Sequence, residues 1–150
     1  MADCQIVLRY FAFKDERHLV GSTRAILDNC MARLRNADAG VLSTLRSEFI
    51  EALDTAVEIF GDRAFRVGAT AKSKGRLSRP LFDAEMIAIN RLIERKARLI
   101  RNRAKIAQAI ARLTKEGSES YEIIVGRPNT AAAIQSRINM VEKAIRDAVA

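Results

Sequence analysis

VLSTLRSEFIEALDTAVEIFGDRAF, residues 41–65, decides the fold class. Leu42, Leu45, Phe49, Leu53, Ala56 and Phe60 recur at steps of three and four, which gathers them on one stripe of an α-helix. Arg46, Glu48, Glu51, Asp54 and Glu58 fall mostly on the other side, as a solvated face. Gly61 follows the last periodic residue, where a left-handed cap suits a residue without a Cβ. Phe65 can then fold back onto the stripe. A helix this amphipathic needs cover from other segments, so its neighbours are expected to be helices as well.

Upstream, Asp3 is placed to cap a first helix running to about Lys14. Ile6, Val7, Leu8, Tyr10, Phe11 and Phe13 surround nearly its whole circumference. A helix apolar all round is either central in a core or docked on a second protein. Ile6, Tyr10, Phe11 and Phe13 are therefore the docking candidates. Arg9 interrupts them, and a salt bridge at the core edge is favoured for it over a phosphate contact. His18, the only histidine, lies beside the charged turn Asp15–Arg17 and is expected to be exposed. A catalytic grouping of Arg9, His18 and Asp28 carries little weight. Ser22 or Thr23 caps a second helix to about Asn36, with Ile26, Leu27, Cys30, Met31 and Leu34 inward.

Downstream the pattern stops. DRAFRVGATAKSKGRLSR, residues 62–79, mixes small residues with Lys72, Lys74, Arg76 and other cations, and after Asp62 no acid follows until Asp83. Like charges repel and stay solvated, so this run reads as a mobile basic loop, either a plain connection or a strap for nucleic acid. Pro80 then suits the start of a helix. If that helix runs on unbroken, Leu92, Leu99, Ile106 and Leu113 stack at seven-residue intervals, and Arg91, Arg95, Arg98 and Lys105 share the opposite side. A break near Lys96 resets that phase. A stripe of cations is the footprint of phosphate contact, although basic faces are often only solvated. No aromatic residues are interleaved, so stacking on single-stranded bases is not supported. Gly117 ends this region and Ser118 starts a short helix that stops at Gly126–Arg127–Pro128. Asn129 or Thr130 caps the last helix, whose stripe is Ile134, Ile138, Val141 and Ile145.

The expected fold is all-α: one domain over residues 1–150, a bundle of about six to seven helices with the basic loop at about 62–79. The length of 150 residues suits one core, and an apolar content of 49% excludes a disordered chain. No apolar run is long enough for a bilayer, and no signal-peptide pattern is present, so no membrane partner is expected. Cys4 and Cys30 lack metal-ligand spacing and read as reduced thiols of a cytoplasmic protein. A net charge of +8 points to nucleic acid, an acidic protein face or nucleotide phosphates. There is no GxSxG, HExxH, CxxC, Walker lysine or Rossmann glycine pattern, so no catalytic residue, metal site or cofactor is assigned to this chain.

Several fragments come in a telling order: IVLRYFAF, VGSTRAILDNCMARL, EIFGDRAFR, RPLFDAEMIAI and NTAAAIQSRINMVEKAI. Together they resemble the C-terminal helical half of the bacterial family called domain of unknown function two-six-two, the GmrSD-type restriction family. Its members read LRFFA, a GS-containing helix with FLN, an FG-x-x-AFR turn and LFDA. This chain departs at Leu27–Asp28–Asn29–Cys30, where the family carries an FLN-type run. The resemblance implies that a ParB-like half bearing a DGQQR motif binds and hydrolyses nucleoside triphosphate. That motif is missing here, and the single histidine excludes the His-Asn-His nuclease of some relatives. The resemblance therefore implies a non-catalytic accessory domain of a phage-defence NTPase, a detached or split helical half. Its expected partners are the ParB-like half or another protein of the same system, and DNA. A second copy of the chain is a further expected partner. An autonomous nucleic-acid-binding module is the alternative.

Overall fold

The fold turns on RPLFDAEMIAINR, the helix Arg79–Arg91, rather than on the longer helix at 39–60. In this computed structural model, which describes residues 2–70, 72–126 and 128–150, Leu81 and every residue from Asp83 to Ile89 are buried. Its neighbours lie on several sides. The helices, in chain order, are α1 Ala2–Phe13, α2 Thr23–Leu34, α3 Ala39–Phe60, α4 Arg79–Arg91, α5 Lys96–Arg101, α6 Arg103–Leu113, α7 Glu119–Val125 and α8 Ala131–Ala148. Helix α8 packs most extensively on α4, followed by α3 and α1, and α7 closes one end. The chain is thus an all-α bundle, as its periodicity implies. Among the described residues no helix is long and apolar enough to cross a membrane.

Local chemistry places the helix ends. Ser22, Asp38, Ser78, Ser118 and Thr130 each accept a hydrogen bond from a backbone N–H in the first turn of the helix they precede. Each such cap contributes about 1 kcal/mol by pairing a donor that the helix leaves free. Gly61 ends α3 at φ 56°, with its N–H on the Val57 carbonyl. Asp3, expected as the first cap, lies inside α1, and its side chain falls outside the described residues. Arg127, in the stop after α7, is also outside them.

Among the described residues the helices number eight, close to the six or seven expected. The run from Arg79 to Leu113 breaks twice: at a 3-10 turn over Ile93–Arg95 and at Asn102. No proline or glycine causes the second break. The Asn102 side-chain amide donates to the Arg98 carbonyl at 2.9 Å, sharing it with the Asn102 backbone N–H, and the backbone there sits at φ −100°, ψ 16°. The inward row survives these breaks, with Leu92, Leu99 and Ile106 all buried.

The basic loop expected at 62–79 has more internal structure than a plain connection. It folds into a two-stranded antiparallel hairpin, β1 Arg66–Val67 and β2 Arg76–Leu77, with Arg66 opposite Leu77. Its cations do not simply repel into solvent. Arg66 Nη1 donates to the Gly75 carbonyl at 3.0 Å, Lys74 pairs with Asp62 at 2.8 Å, and Arg76 reaches the Tyr121 hydroxyl at 3.2 Å. Val67 is buried beneath it. A polar contact anchors the base of the hairpin to α4: the Phe65 N–H donates to Glu85 Oε2 at 2.9 Å. Phe65 adopts φ 63°, rare for a side chain of its size, and its ring lies 4.7 Å from that of Phe82.

Helix α1 belongs to this core. Tyr10 and Phe13 are fully buried, and Tyr10 meets Phe49 edge-on at 5.2 Å. Arg9 makes a two-pronged buried ion pair with Asp83 of α4, the salt bridge favoured for it, and its guanidinium lies over the Phe13 ring. Burial of both partners removes competing water, and the fork geometry satisfies both carboxylate oxygens.

Candidate nucleic-acid interface

The two basic helices α5 and α6 form a groove with the end of α8. Arg98, Asn102, Lys105, Gln108 and Arg112 line one wall and Asp147 lies opposite, around a cavity of about 610 Å³. The break at Asn102 does not scatter the cations. Arg98, Lys105 and Arg112 stand seven residues apart and face the same groove. Arg98 Nη2 donates to the Ala150 carbonyl at 3.0 Å, which holds the guanidinium at the groove edge. Asp147 is engaged by Lys143 one turn back. Among the described residues, no Asp or Glu lies within ion-pair distance of Arg95, Arg98, Lys105 or Arg112. Unpaired exposed cations along one groove can follow a phosphate backbone without reading base sequence.

The sequence-derived candidates separate here. Arg98 and Lys105 are brought together. Arg95 is exposed one turn before Arg98 but does not line the groove. Arg91 is removed from the set: it ends α4, is four-fifths buried, and is held by Glu16 at 2.9 Å and Glu142 at 3.0 Å. Two carboxylates already neutralise its charge, and the 3-10 turn at Ile93–Arg95 takes it out of phase with the residues that follow. Lys72, Lys74 and Arg76 are exposed on the hairpin, and two of the three have protein partners. Arg112 was missed. Its signal was the continued seven-residue spacing from Arg98 and Lys105.

The docking candidates on α1 need a correction too. Tyr10 and Phe13 cannot present a surface, because the chain's own core encloses them; Ile6 and Phe11 are half-buried. The exposed apolar side chains lie elsewhere. Leu42, Ile50 and Val57 of α3 are 50%, 40% and 50% exposed on one broad side of the helix. The grouping of Arg9, His18 and Asp28 does not form either. Arg9 is bound to Asp83, His18 Nε2 lies 3.5 Å from Asp15, and Asp28 faces Arg24 at 3.8 Å. Among the described residues no three His, Cys, Asp or Glu side chains are gathered to hold a metal ion.

The acids that sequence reasoning passed over are Asp83 and Glu85. Glu85 is 1% exposed, and burial pushes its carboxyl up to about 8; the Phe65 N–H is the one group favouring its charged form. Their signal was present in LFDAEMIAI: two acids inside an otherwise apolar run.

Compared with protein-family models, with curated proteins and with solved structures, the chain matches none.

Proposed function

We propose that the chain is a non-catalytic helical accessory module that grips the phosphate backbone of DNA, in the manner expected of a GmrSD-like restriction system. The observation that carries this reading is the groove in which Arg98, Lys105 and Arg112 converge with no Asp or Glu ion-paired to them among the described residues. Charge of one sign on concave walls raises the local concentration of a polyanion and speeds its capture. The contact is sequence-independent, because these side chains meet phosphates and not base edges.

Charge reversal locates the interface. Arg98→Glu/Lys105→Glu/Arg112→Glu is expected to abolish duplex binding in a fluorescence anisotropy titration. Lys72→Glu/Lys74→Glu, on the hairpin, is expected to weaken it far less. The opposite ranking would move the interface to the hairpin and remove the groove from the proposal.

The resemblance adds a second reading: this module docks on a separate ParB-like NTPase half. The exposed Leu42, Ile50 and Val57 of α3 favour it, since large apolar side chains on one helix face suit a protein contact better than solvent. Co-expression with a DGQQR-bearing partner tests it. A single eluting complex that Ile50→Glu/Val57→Glu disrupts supports docking through α3. Separate elution of wild type and partner counts against it.

A further inference from the structure

A second cavity lies on the far side of α6, between that helix and the base of the hairpin. It has a volume of about 260 Å³, and its lining includes Phe60, Arg63, Thr70, Glu85, Thr114 and Lys115. It shares no lining residue with the basic groove. Three kinds of chemistry meet in it. Phe60 and the neighbouring Ile110 give an apolar wall. Arg63 and Lys115 are exposed cations of its lining, joined there by Arg66 and by one acid, Glu116. Glu85 is a buried carboxyl, anchored through Oε2 to the Phe65 N–H.

We propose that this cavity is a nucleotide site, seating an adenine or cytosine base between Phe60 and Glu85 and its phosphate on Arg63 and Lys115. A base in a protein pocket is read by hydrogen bonds to its pairing edge and by contact of its face with aromatic or apolar side chains, and the cavity supplies both. A carboxyl group whose one oxygen accepts from the backbone offers an acceptor and, when protonated, a neighbouring O–H donor. That pair matches the ring nitrogen and exocyclic amine of adenine or cytosine. Burial holds Glu85 in this protonated form at neutral pH. Guanine and uracil present a ring N–H instead and lack this match. The volume suits one nucleoside and is smaller than most sites for drug-sized molecules. The nucleotide is either free or a base turned out of a DNA strand, because both present the same edge and phosphate.

Calorimetric titration of the full chain with the four nucleoside monophosphates is the test. Adenosine and cytidine monophosphates are expected to bind about tenfold tighter than the other two, the worth of roughly one hydrogen bond. Glu85→Gln keeps an acceptor for Phe65 and a donor toward the cavity, so it is expected to retain binding, whereas Glu85→Leu is expected to lose it. Because Glu85→Leu also removes a core contact, Arg63→Ala/Lys115→Ala provides an independent check at exposed positions. It is expected to weaken the phosphates about tenfold and leave the unphosphorylated nucleosides unchanged. A duplex carrying a fluorescent adenine analogue separates the two sources. Brightening with wild type and Glu85→Gln, but not with Glu85→Leu, assigns the site to a turned-out base. Binding of the free nucleotides without such brightening assigns it to a free ligand. Neither binding nor brightening, binding without base preference, or binding untouched by the Arg63/Lys115 variant would overturn the proposal. None of these outcomes bears on the basic groove.

Discussion

Asp83 and Glu85 sit two positions apart on α4, and both are almost fully buried, but by different means. Burial pushes the Asp83 carboxyl upward, and the paired Arg9 guanidinium opposes that push by favouring the charged form. Removing Arg9 alone leaves a buried charge without its partner, a change that typically costs about 3–5 kcal/mol. Arg9→Ala should therefore shift the urea midpoint strongly downward. Arg9→Met/Asp83→Leu, which fills the same space with apolar atoms, should recover most of that loss; equal damage in both variants would mean that the pair contributes specific geometry beyond charge balance. Among the described residues no cation is ion-paired with Glu85, and burial favours its protonated form instead. Its pKa in the folded chain, about 8, lies above the ordinary 4.5. Below the ordinary value both states are protonated and the group costs nothing. As pH rises from there to about 8, unfolding releases a proton that the folded chain still holds, so stability falls across that window and then levels. The cumulative loss is on the order of 3–5 kcal/mol. Glu85→Gln, which cannot ionise, should show a flatter stability profile between pH 5 and about 8. Parallel profiles for the two proteins would place the Glu85 carboxyl in contact with water.

At the scale of elements, the hairpin depends on a close approach that only glycine allows. A Cβ at Gly75 would stand 2.4 Å from the Val67 carbonyl and 2.8 Å from the Ala69 nitrogen, at a backbone φ of 73°. Gly75→Ala should open the hairpin, and limited proteolysis should then cut within 62–79 faster than in wild type. Cleavage at the wild-type rate would show that this turn tolerates the shift. No reading of the sequence exposed this hairpin, since two residues per strand are too few to show alternation. The longer elements were legible. Ile134, Ile138, Val141 and Ile145 line the buried face of α8, and the caps left open between Ser22 and Thr23 and between Asn129 and Thr130 fall to Ser22 and Thr130. Helix α3 was recognised, but its deepest residues are Ala52, Thr55, Ala56 and Ile59, while Leu42 at its start is half-exposed. Helix α4 was underrated for a physical reason. A helix enclosed on all sides has no polar face to give a period, and its two acids look like a solvated face until their partners are known. The same limit applied to Arg91. Which way a cation points along 79–113 depends on two breaks that no proline or glycine announces.

For the whole molecule, the charge of +8 matters through its distribution. Arg9, Arg91 and Lys74 are spent on internal pairs, and in the groove between α5, α6 and α8 the cations Arg98, Lys105 and Arg112 have no Asp or Glu partner among the described residues. Total charge and the two cations Arg98 and Lys105 were readable from sequence. Their gathering with Arg112 against the end of α8 was not, because it requires α8 to pack beside α6. The central claim is that this groove binds DNA through phosphates. Counterion release makes that claim measurable: the logarithm of affinity falls linearly with the logarithm of salt concentration, with a slope set by the number of phosphates contacted. The decisive measurement is that slope for wild type and for Arg98→Ala/Lys105→Ala/Arg112→Ala on one duplex. The account predicts a steep fall for wild type and a shallower one for the variant, by about 0.9 for each contact removed. Identical slopes, or no measurable binding by wild type at low salt, would contradict it.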